Sequence, residues 1–439
     1  MRGQARNVGI GATPDRLPVN RIPRSLPLVL TLLFTLSGVC VAEDVTPVGL
    51  WYAKVSPTET GPVEFQVRVS KKGKSLAASL INGAFSEPFS HVEWDGSTLT
   101  LGMAHYDARI VAALKGKDLE GTYVRILPAG TREIPFFAWR NAPPPTPVRK
   151  RGVSVAGTWA AEIARPPGSP EKVVALLAQK GTSVTGTMAT ASGDYGPLHG
   201  TFDGEQLVLM VFNGVFVYRF TAELLPDGTL AGEFRSGKNP PVDWKATRQP
   251  AVADFAGPKP KEPGKPLVFS LPGLDGKPVS SSAPPFSGKA MIVTAMGTWC
   301  PNCHDEAPVL EELRRSYVGK GLEVVALTYE VSDDMERNRR LVGQFRTREG
   351  ATYPILFAGT TKEAASSPFF AALDGPRVFP TTVFLDRQHR IVRVHAGFDG
   401  PATGERFRKL KDEWRETVRK LLGGSTASPA PGASSIGIR

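Results

Sequence analysis

Two kinds of hydrophobic spacing divide the chain. Up to about residue 249, apolar residues recur at every second position in short runs such as Phe65-Gln66-Val67-Arg68-Val69, with glycines punctuating them. This alternation buries one side of a strand and wets the other, so it predicts short antiparallel strands and no helix. From about residue 266 the texture changes. Ala290–Ala295 is an apolar run and Leu322–Thr328 a largely apolar one, both expected as buried strands. Between them a helix is expected over Pro301–Val318, with Val309, Leu310, Leu313 and Tyr317 on one side and Gly319 as its stop. A helix over Asp333–Phe345, a strand at Tyr353–Phe357 and a hairpin of Thr381–Leu385 with Ile391–Ala396 across Asp386–His389 follow. The last helix carries Phe407, Leu410, Trp414, Val418 and Leu421 at spacings of 3, 4, 4 and 3. The expected fold class is multi-domain: two all-β barrel- or sandwich-like repeats, then an α/β layer domain of about 155 residues.

The case for repeats rests on landmarks nearly in register. Gly49-Leu50-Trp51 and Gly157-Thr158-Trp159 lie 108 residues apart, as do Asp95-Gly96 and Asp203-Gly204. Gly121-Thr122-Tyr123 matches Gly232-Glu233-Phe234 at an offset of 111. The expected organisation is a β-rich repeat at 43–140, a Pro-rich linker at 141–152 and a second repeat at 153–249. A Pro/Lys-rich linker at 250–265, the α/β domain at 266–422 and a disordered Ser/Ala/Pro/Gly-rich tail at 423–439 complete it. Trp51 and Trp159 read as core residues rather than walls of a ligand pocket.

At the N-terminus, Arg16, Arg21 and Arg24 precede an apolar stretch from Leu26 to Val39 and the small-residue ending Cys40-Val41-Ala42. Too short to span a bilayer, this predicts a secretory signal at 1–42 cleaved after Ala42, hence a periplasmic or cell-envelope location. Membrane association is then expected only through an uncleaved signal or a lipidated Cys40. Five Arg and one Asp in residues 1–42 account for four of the eleven net positive charges. The remaining excess is dispersed in runs such as Lys71-Lys72-Gly73-Lys74, so no nucleic-acid partner is expected. Of three cysteines only Cys300 and Cys303 would survive signal removal. A loop closed by so few residues restrains the unfolded chain weakly, so this pair points to chemistry rather than to stapling.

The chemistry is expected at Trp299-Cys300-Pro301-Asn302-Cys303. A strand delivers the chain there and a helix starts, so Cys300 meets unpaired N–H groups and the positive end of the helix dipole, which favour a thiolate. Pro301 suits the first helical position. Cys303 lies one turn in, within disulfide range, and Glu306 on the same side could exchange a proton with it. Rival readings of the pair fit less well. Zinc lacks further ligands, and Cys-x-x-Cys-His as a haem attachment does not suit a motif that opens a long helix. His91, His105, His199, His389 and His395 show no metal spacing and are expected as surface or satisfied core residues.

Gly297-Thr298-Trp299-Cys300-Pro301-Asn302-Cys303-His304-Asp305-Glu306-Ala307-Pro308 resembles the active-site segment of TlpA/ResA-like thiol–disulfide oxidoreductases of the thioredoxin superfamily. Phe379-Pro380-Thr381-Thr382 resembles that family's cis-proline loop, and Gly397–Gly404 a loop of some exported reductases. Met296-Gly297 departs from the residues common among relatives. The resemblance covers about 266–422 and implies a thioredoxin-like fold there. It implies that Cys300 attacks a partner disulfide, Cys303 resolves the mixed disulfide, Glu306 helps deprotonate Cys303, and cis-Pro380 faces the thiols. Trp299, Pro301, Phe379 and Thr381 would meet the substrate, and Pro308 would kink the helix. No cofactor is implied beyond the redox-active dithiol. Implied partners are protein disulfides, such as those of apocytochrome c or copper-site assembly proteins, and a membrane thiol donor of electrons. Two alternatives stand beside this: an envelope binding protein whose β-repeats do the work, and a peroxiredoxin-like antioxidant enzyme.

Overall fold

The computed structural model describes residues 46–249, 255 and 257–423. The expected signal at 1–42, with Cys40, and the expected tail beyond Gly423 lie outside the described residues.

The first nine strands form one antiparallel sheet that runs in spatial order from Phe85–Pro88 through Gly49–Val55 and Gly130–Trp139 to His91–Trp94. Its edge strands, consecutive in the chain, share no ladder, so this sheet is an open roll. A second sheet of nine strands closes. Glu171–Lys180, at one end of the strand order, pairs with Gly157–Ile163 and also with Ser183–Thr190 from near the other end, completing a ring. The expected barrel is therefore present in the second sheet, and the first stops short of closure.

What fills the open roll comes from its neighbour. Phe212 stacks on Phe65 at 4.6 Å between ring centroids and meets Tyr123 edge-on at 5.0 Å. The buried Asn82 side chain donates to the Phe212 carbonyl at 2.8 Å. Met210, Phe212 and Val217 belong to the first sheet's core, so the two sheets share apolar burial.

Corresponding landmarks have matching environments. Trp51 and Trp159 are buried, and each indole N–H donates to a carbonyl four residues earlier, Pro47 at 2.8 Å and Val155 at 2.9 Å. Arg140 lies over the Trp51 ring and Arg248 over that of Trp159. Asp95 and Asp203 cap equivalent turns, each Oδ1 accepting two backbone N–H groups, before Gly96 at φ +101° and Gly204 at φ +105°.

The remaining residues build a five-stranded sheet in the order Ile355–Thr360, Leu322–Glu330, Ala290–Met296, Thr381–Leu385, Ile391–Ala396. The first two pairings are parallel and the others antiparallel. Alternate apolar residues of Ala290–Met296 serve two cores, which explains why both faces of this strand are apolar apart from Thr294. Helices α1 (Pro301–Tyr317), α2 (Met335–Glu349) and α4 (Glu405–Leu421) cover one face. The short α3 (Pro368–Ala371) and the apolar stretch around Leu267, Phe269 and Phe286 cover the other.

Several expected boundaries move. After α1 a 3-10 turn, Val318–Lys320, carries the chain on, and the left-handed stop is Gly321 at φ +94°, not Gly319. Helix α2 runs a turn past Phe345 and ends at Gly350, φ +65°. The strand expected at Tyr353–Phe357 is Ile355–Thr360. Within the expected 250–265 linker, Lys259–Pro260 pairs with Leu373–Asp374, tying that segment to the α/β domain. Pro308 sits inside a continuous α1, so the helix does not begin after it. Among the described residues no helix is long and apolar enough to cross a membrane.

Candidate active site

Cys300 is the N-cap of α1, in extended conformation, with Pro301 as the first helical residue. The strand–turn–helix passage is held from below by Glu330, a buried carboxylate that accepts from the Thr298 hydroxyl at 2.7 Å and the Thr298 N–H at 3.2 Å. Trp299 is half-buried; its indole N–H donates to the Tyr329 carbonyl at 2.9 Å, and its ring meets Phe379 edge-on at 5.5 Å. Cys300 and Cys303 are both free thiols and buried.

The Phe379-Pro380 bond is cis, and the Phe379 carbonyl lies 3.5 Å from Cys300 Sγ. Thus the loop expected to face the thiols does so. Thr381, by contrast, is fully buried and its hydroxyl donates to the Val378 carbonyl at 2.7 Å, so its side chain shapes the turn and presents nothing to a partner. Pro301 is half-buried at the wall of a cleft.

Behind Cys303 lies a polar pocket in an otherwise apolar core. Glu306 is buried, its Oε2 accepting from Thr294 Oγ1 at 2.8 Å and its Oε1 from Thr382 Oγ1 at 2.5 Å. Burial pushes its carboxyl up to about 7, against the lowering effect of both hydroxyls. Burial, then a hydrogen bond with Cys300 and the charges of Cys300 and Glu306, pushes the Cys303 thiol well above its ordinary range. A carboxylate half-ionised near neutrality beside a thiol that resists ionisation is suited to exchange a proton with it.

The rest of the site comes from the β-sheets. Asn302, between the cysteines, donates through Nδ2 to the Ser192 carbonyl of the second sheet at 3.3 Å. Asp194 Oδ2 accepts the Gly400 N–H at 2.6 Å, and burial pushes its carboxyl up to about 6. Asp305 keeps a partly exposed edge, yet its carboxyl is enclosed; that enclosure and then the charges of Asp194, Glu87 and Glu349 push it well up. From the first sheet, the rings of His105 and Tyr106 pack on His304 at 5.3 and 5.0 Å. The His304 ring is held between Glu349 at 2.7 Å and the Thr298 carbonyl at 3.0 Å.

Sequence reasoning found the two thiols, Glu306 and the proline loop. It missed Thr294, Thr382, Glu330 and the sheet residues. Thr294 carried a signal, being the one hydroxyl in the Ala290–Met296 run; the contacts of Ser192 and Asp194 carried none. His105 and His199 depart from the expected satisfied core histidines. Both are enclosed, neither His105 ring nitrogen has a hydrogen bond, nor does His199 Nδ1.

Comparison with known proteins follows the same ground. The Redoxin family model matches residues 258–409. Thioredoxin-like protein YneN of Bacillus subtilis is 30% identical over 129 residues, 29% of this chain and 68% of that protein. Thiol-disulfide oxidoreductase ResA of Halalkalibacterium halodurans is 27% identical over 142 residues, 32% of this chain and 72% of that one. Among solved structures, a thioredoxin-family thiol:disulfide interchange protein from Chlorobium tepidum TLS aligns with 39% of this chain and 100% of its own, at 26% identity and a TM-score of 0.29.

Proposed function

From the premise that this chain belongs, through its C-terminal domain, to the thioredoxin-like thiol–disulfide oxidoreductases of the Redoxin family, we propose that it reduces protein disulfides outside the cytoplasm through Cys300 and Cys303. The observation that supports this best is the Cys300 thiol at the start of α1, facing the Phe379 carbonyl at 3.5 Å with buried Cys303 one turn behind.

Cys300, as thiolate, attacks one sulfur of a partner disulfide; the partner's S–S bond breaks and one partner thiolate leaves. Cys303 then gives its proton to Glu306 and attacks Cys300 Sγ. The Cys300–Cys303 disulfide forms, the second partner thiolate leaves, and two electrons have passed to the partner. A membrane thiol donor returns the dithiol to its reduced state. Trp299, Pro301 and the Phe379 backbone bound the approach to Cys300, while Pro380 and Thr381 set the shape of the facing loop. The dithiol needs no further cofactor.

In this reading a signal at 1–42 exports the chain, and the β-rich stretches 43–140 and 153–249 are a duplicated module joined through the 141–152 and 250–265 segments to the redox domain. The shared Trp, Arg and Asp-Gly environments support duplication. The contact of Ser192 with Asn302 favours sheets that serve the redox centre over sheets that act alone. Insulin reduction by the full chain tests the central point. Cys300→Ser should abolish turnover, and Cys303→Ser should trap a mixed disulfide; undiminished turnover in Cys300→Ser refutes the reading.

A further inference from the structure

Cys300 lies between two clefts of opposite character, both walled by the β-sheets. On the Pro301 side a cavity of about 310 Å³ gathers Glu87, Asp305 and Glu349 around one guanidinium, Arg348. On the Trp299 side a cavity of about 480 Å³ is lined by Arg125, Arg337, Lys362 and His105, with Glu330 as its carboxylate. Glu330 is already engaged by Thr298 and Thr328.

The hydrogen-bond donors of the second cleft are not fully paired. No carboxylate among the described residues pairs with Arg125, and its Nε is buried without a hydrogen bond. Arg337 meets Asp107 through Nε at 2.9 Å, yet its Nη1 is buried without a hydrogen bond. His105 is 3% exposed and uncharged, since burial pushes its pKa down to about 2, and neither of its ring nitrogens has a hydrogen bond, which leaves one N–H to offer. Lys362 is exposed at the rim and forms no ion pair among the described residues. Buried donors left unpaired cost free energy, and an arriving anion would recover it. The guanidinium of Arg125 also approaches the Tyr106 ring, at 6.0 Å, and so has a fixed position from which to act.

Resting on the disulfide-reductase reading, we infer that this cleft is a substrate subsite that takes a carboxylate borne near the disulfide being reduced, as on a polypeptide with acidic residues flanking its cystine. An extended segment advances roughly 3.3 Å per residue, so a side chain one to three residues from the attacked sulfur reaches past Trp299 into the cleft. The cleft opposite offers the same group no unpaired guanidinium, since Arg348 already meets Glu87 and Glu349, and this gives the bound segment one polarity. The small-molecule source of the same chemistry is a disulfide such as glutathione disulfide, whose own carboxylates would enter.

The test uses the full chain with two synthetic peptides of one disulfide each, flanked by Asp and Glu or by Lys, and with glutathione disulfide. Wild type should favour the acidic peptide by about tenfold in kcat/KM, less at about 0.5 M salt. Lys362→Gln, at an exposed position that folding does not depend on, should reduce that ratio, and Arg125→Met with Lys362→Gln should bring it near one. Glutathione turnover that falls with Arg125→Met adds the small disulfide as a source; turnover that does not fall leaves the polypeptide as the source. A wild-type ratio near one, or a ratio unmoved by the double substitution, overturns the subsite alone. If Cys300→Ser reduces both peptides as well as wild type does, the reductase reading falls and the subsite with it.

Discussion

Asp194 of the second β-sheet accepts the Gly400 N–H of the redox domain at 2.6 Å, and its other oxygen accepts from Gly196 N–H at 2.7 Å and Thr187 Oγ1 at 3.1 Å. Beside it Gly193 and Gly397 approach backbone to backbone; a Cβ on Gly397 would lie 2.6 Å from the Gly193 nitrogen. The sheet is thus keyed to the loop after the fifth strand of the redox domain and, through Ser192, to Asn302.

Removing that key should loosen the docking. Asp194→Ala leaves the buried Gly400 and Gly196 N–H groups without their acceptor, at a cost of roughly 1–3 kcal/mol. Hydrogen exchange should rise at Gly400 and Gly196; unchanged protection at Gly400 would show that the contact carries no weight.

Glu306 makes stability and rate depend on pH in opposite senses. Its folded pKa of about 7 lies above its ordinary value of 4.5, so the folded state prefers the protonated acid. The stability this adds is complete below about pH 4.5 and is lost as pH rises through 7, by at most about 3 kcal/mol. Glu306→Gln, neutral throughout, should therefore gain on wild type in denaturant titrations as pH rises from 5 to about 8. Release of the mixed disulfide should slow in the same variant and lose its rise near pH 7, which stopped-flow fluorescence can follow. A variant with the wild-type pH profile would remove Glu306 from the proton transfer.

Asp107 joins the first sheet to α2 by facing both Arg337, at 2.9 Å, and Arg340, at 2.6 Å, from a left-handed backbone position, φ +50°. Asp107→Asn keeps a residue that tolerates this conformation but removes the charge between two guanidinium groups. Breaking a buried pair from one side costs about 3–5 kcal/mol, so the midpoint of thermal unfolding should fall by several degrees. A midpoint unchanged from wild type would mean that Arg337 and Arg340 are stabilised without Asp107.

Two glycines at matching places in the sheets permit the strands to close on one another. A Cβ on Gly121 would sit 2.0 Å from the Val111 carbonyl oxygen, and one on Gly232 at 2.0 Å from that of Thr221. Either Gly→Ala change forces backbone apart and should destabilise by about 1–3 kcal/mol, with a parallel fall in expression of folded protein. If one substitution is neutral and the other is not, the two positions are not structural equivalents.

The hydrophobic spacing alone determined the five sheet strands and three long helices of the redox domain, apart from their ends, but not the short α3. Thr381–Leu385 and Ile391–Ala396 lie where the pattern puts them, because alternation and helical period are local consequences of which side chains must leave water. The Cys-x-x-Cys at a strand-to-helix junction was equally legible, since its position at the helix start follows from chain order. Helix ends were less so: Gly319 and Gly321 are both plausible stops, and the 3-10 turn between them decides which one turns left-handed. Only tertiary structure decided that the first sheet stays open while the second closes, for closure depends on which distant edges meet. It also decided that Glu306 is held by Thr294 and Thr382, that Arg125 shares a cleft with Trp299, and that Ser192 and Asp194 meet Asn302 and Gly400. Arg125, Ser192 and Asp194 stand more than a hundred positions from Cys300, and nothing in local spacing records a contact that exists only once three sheets have packed together.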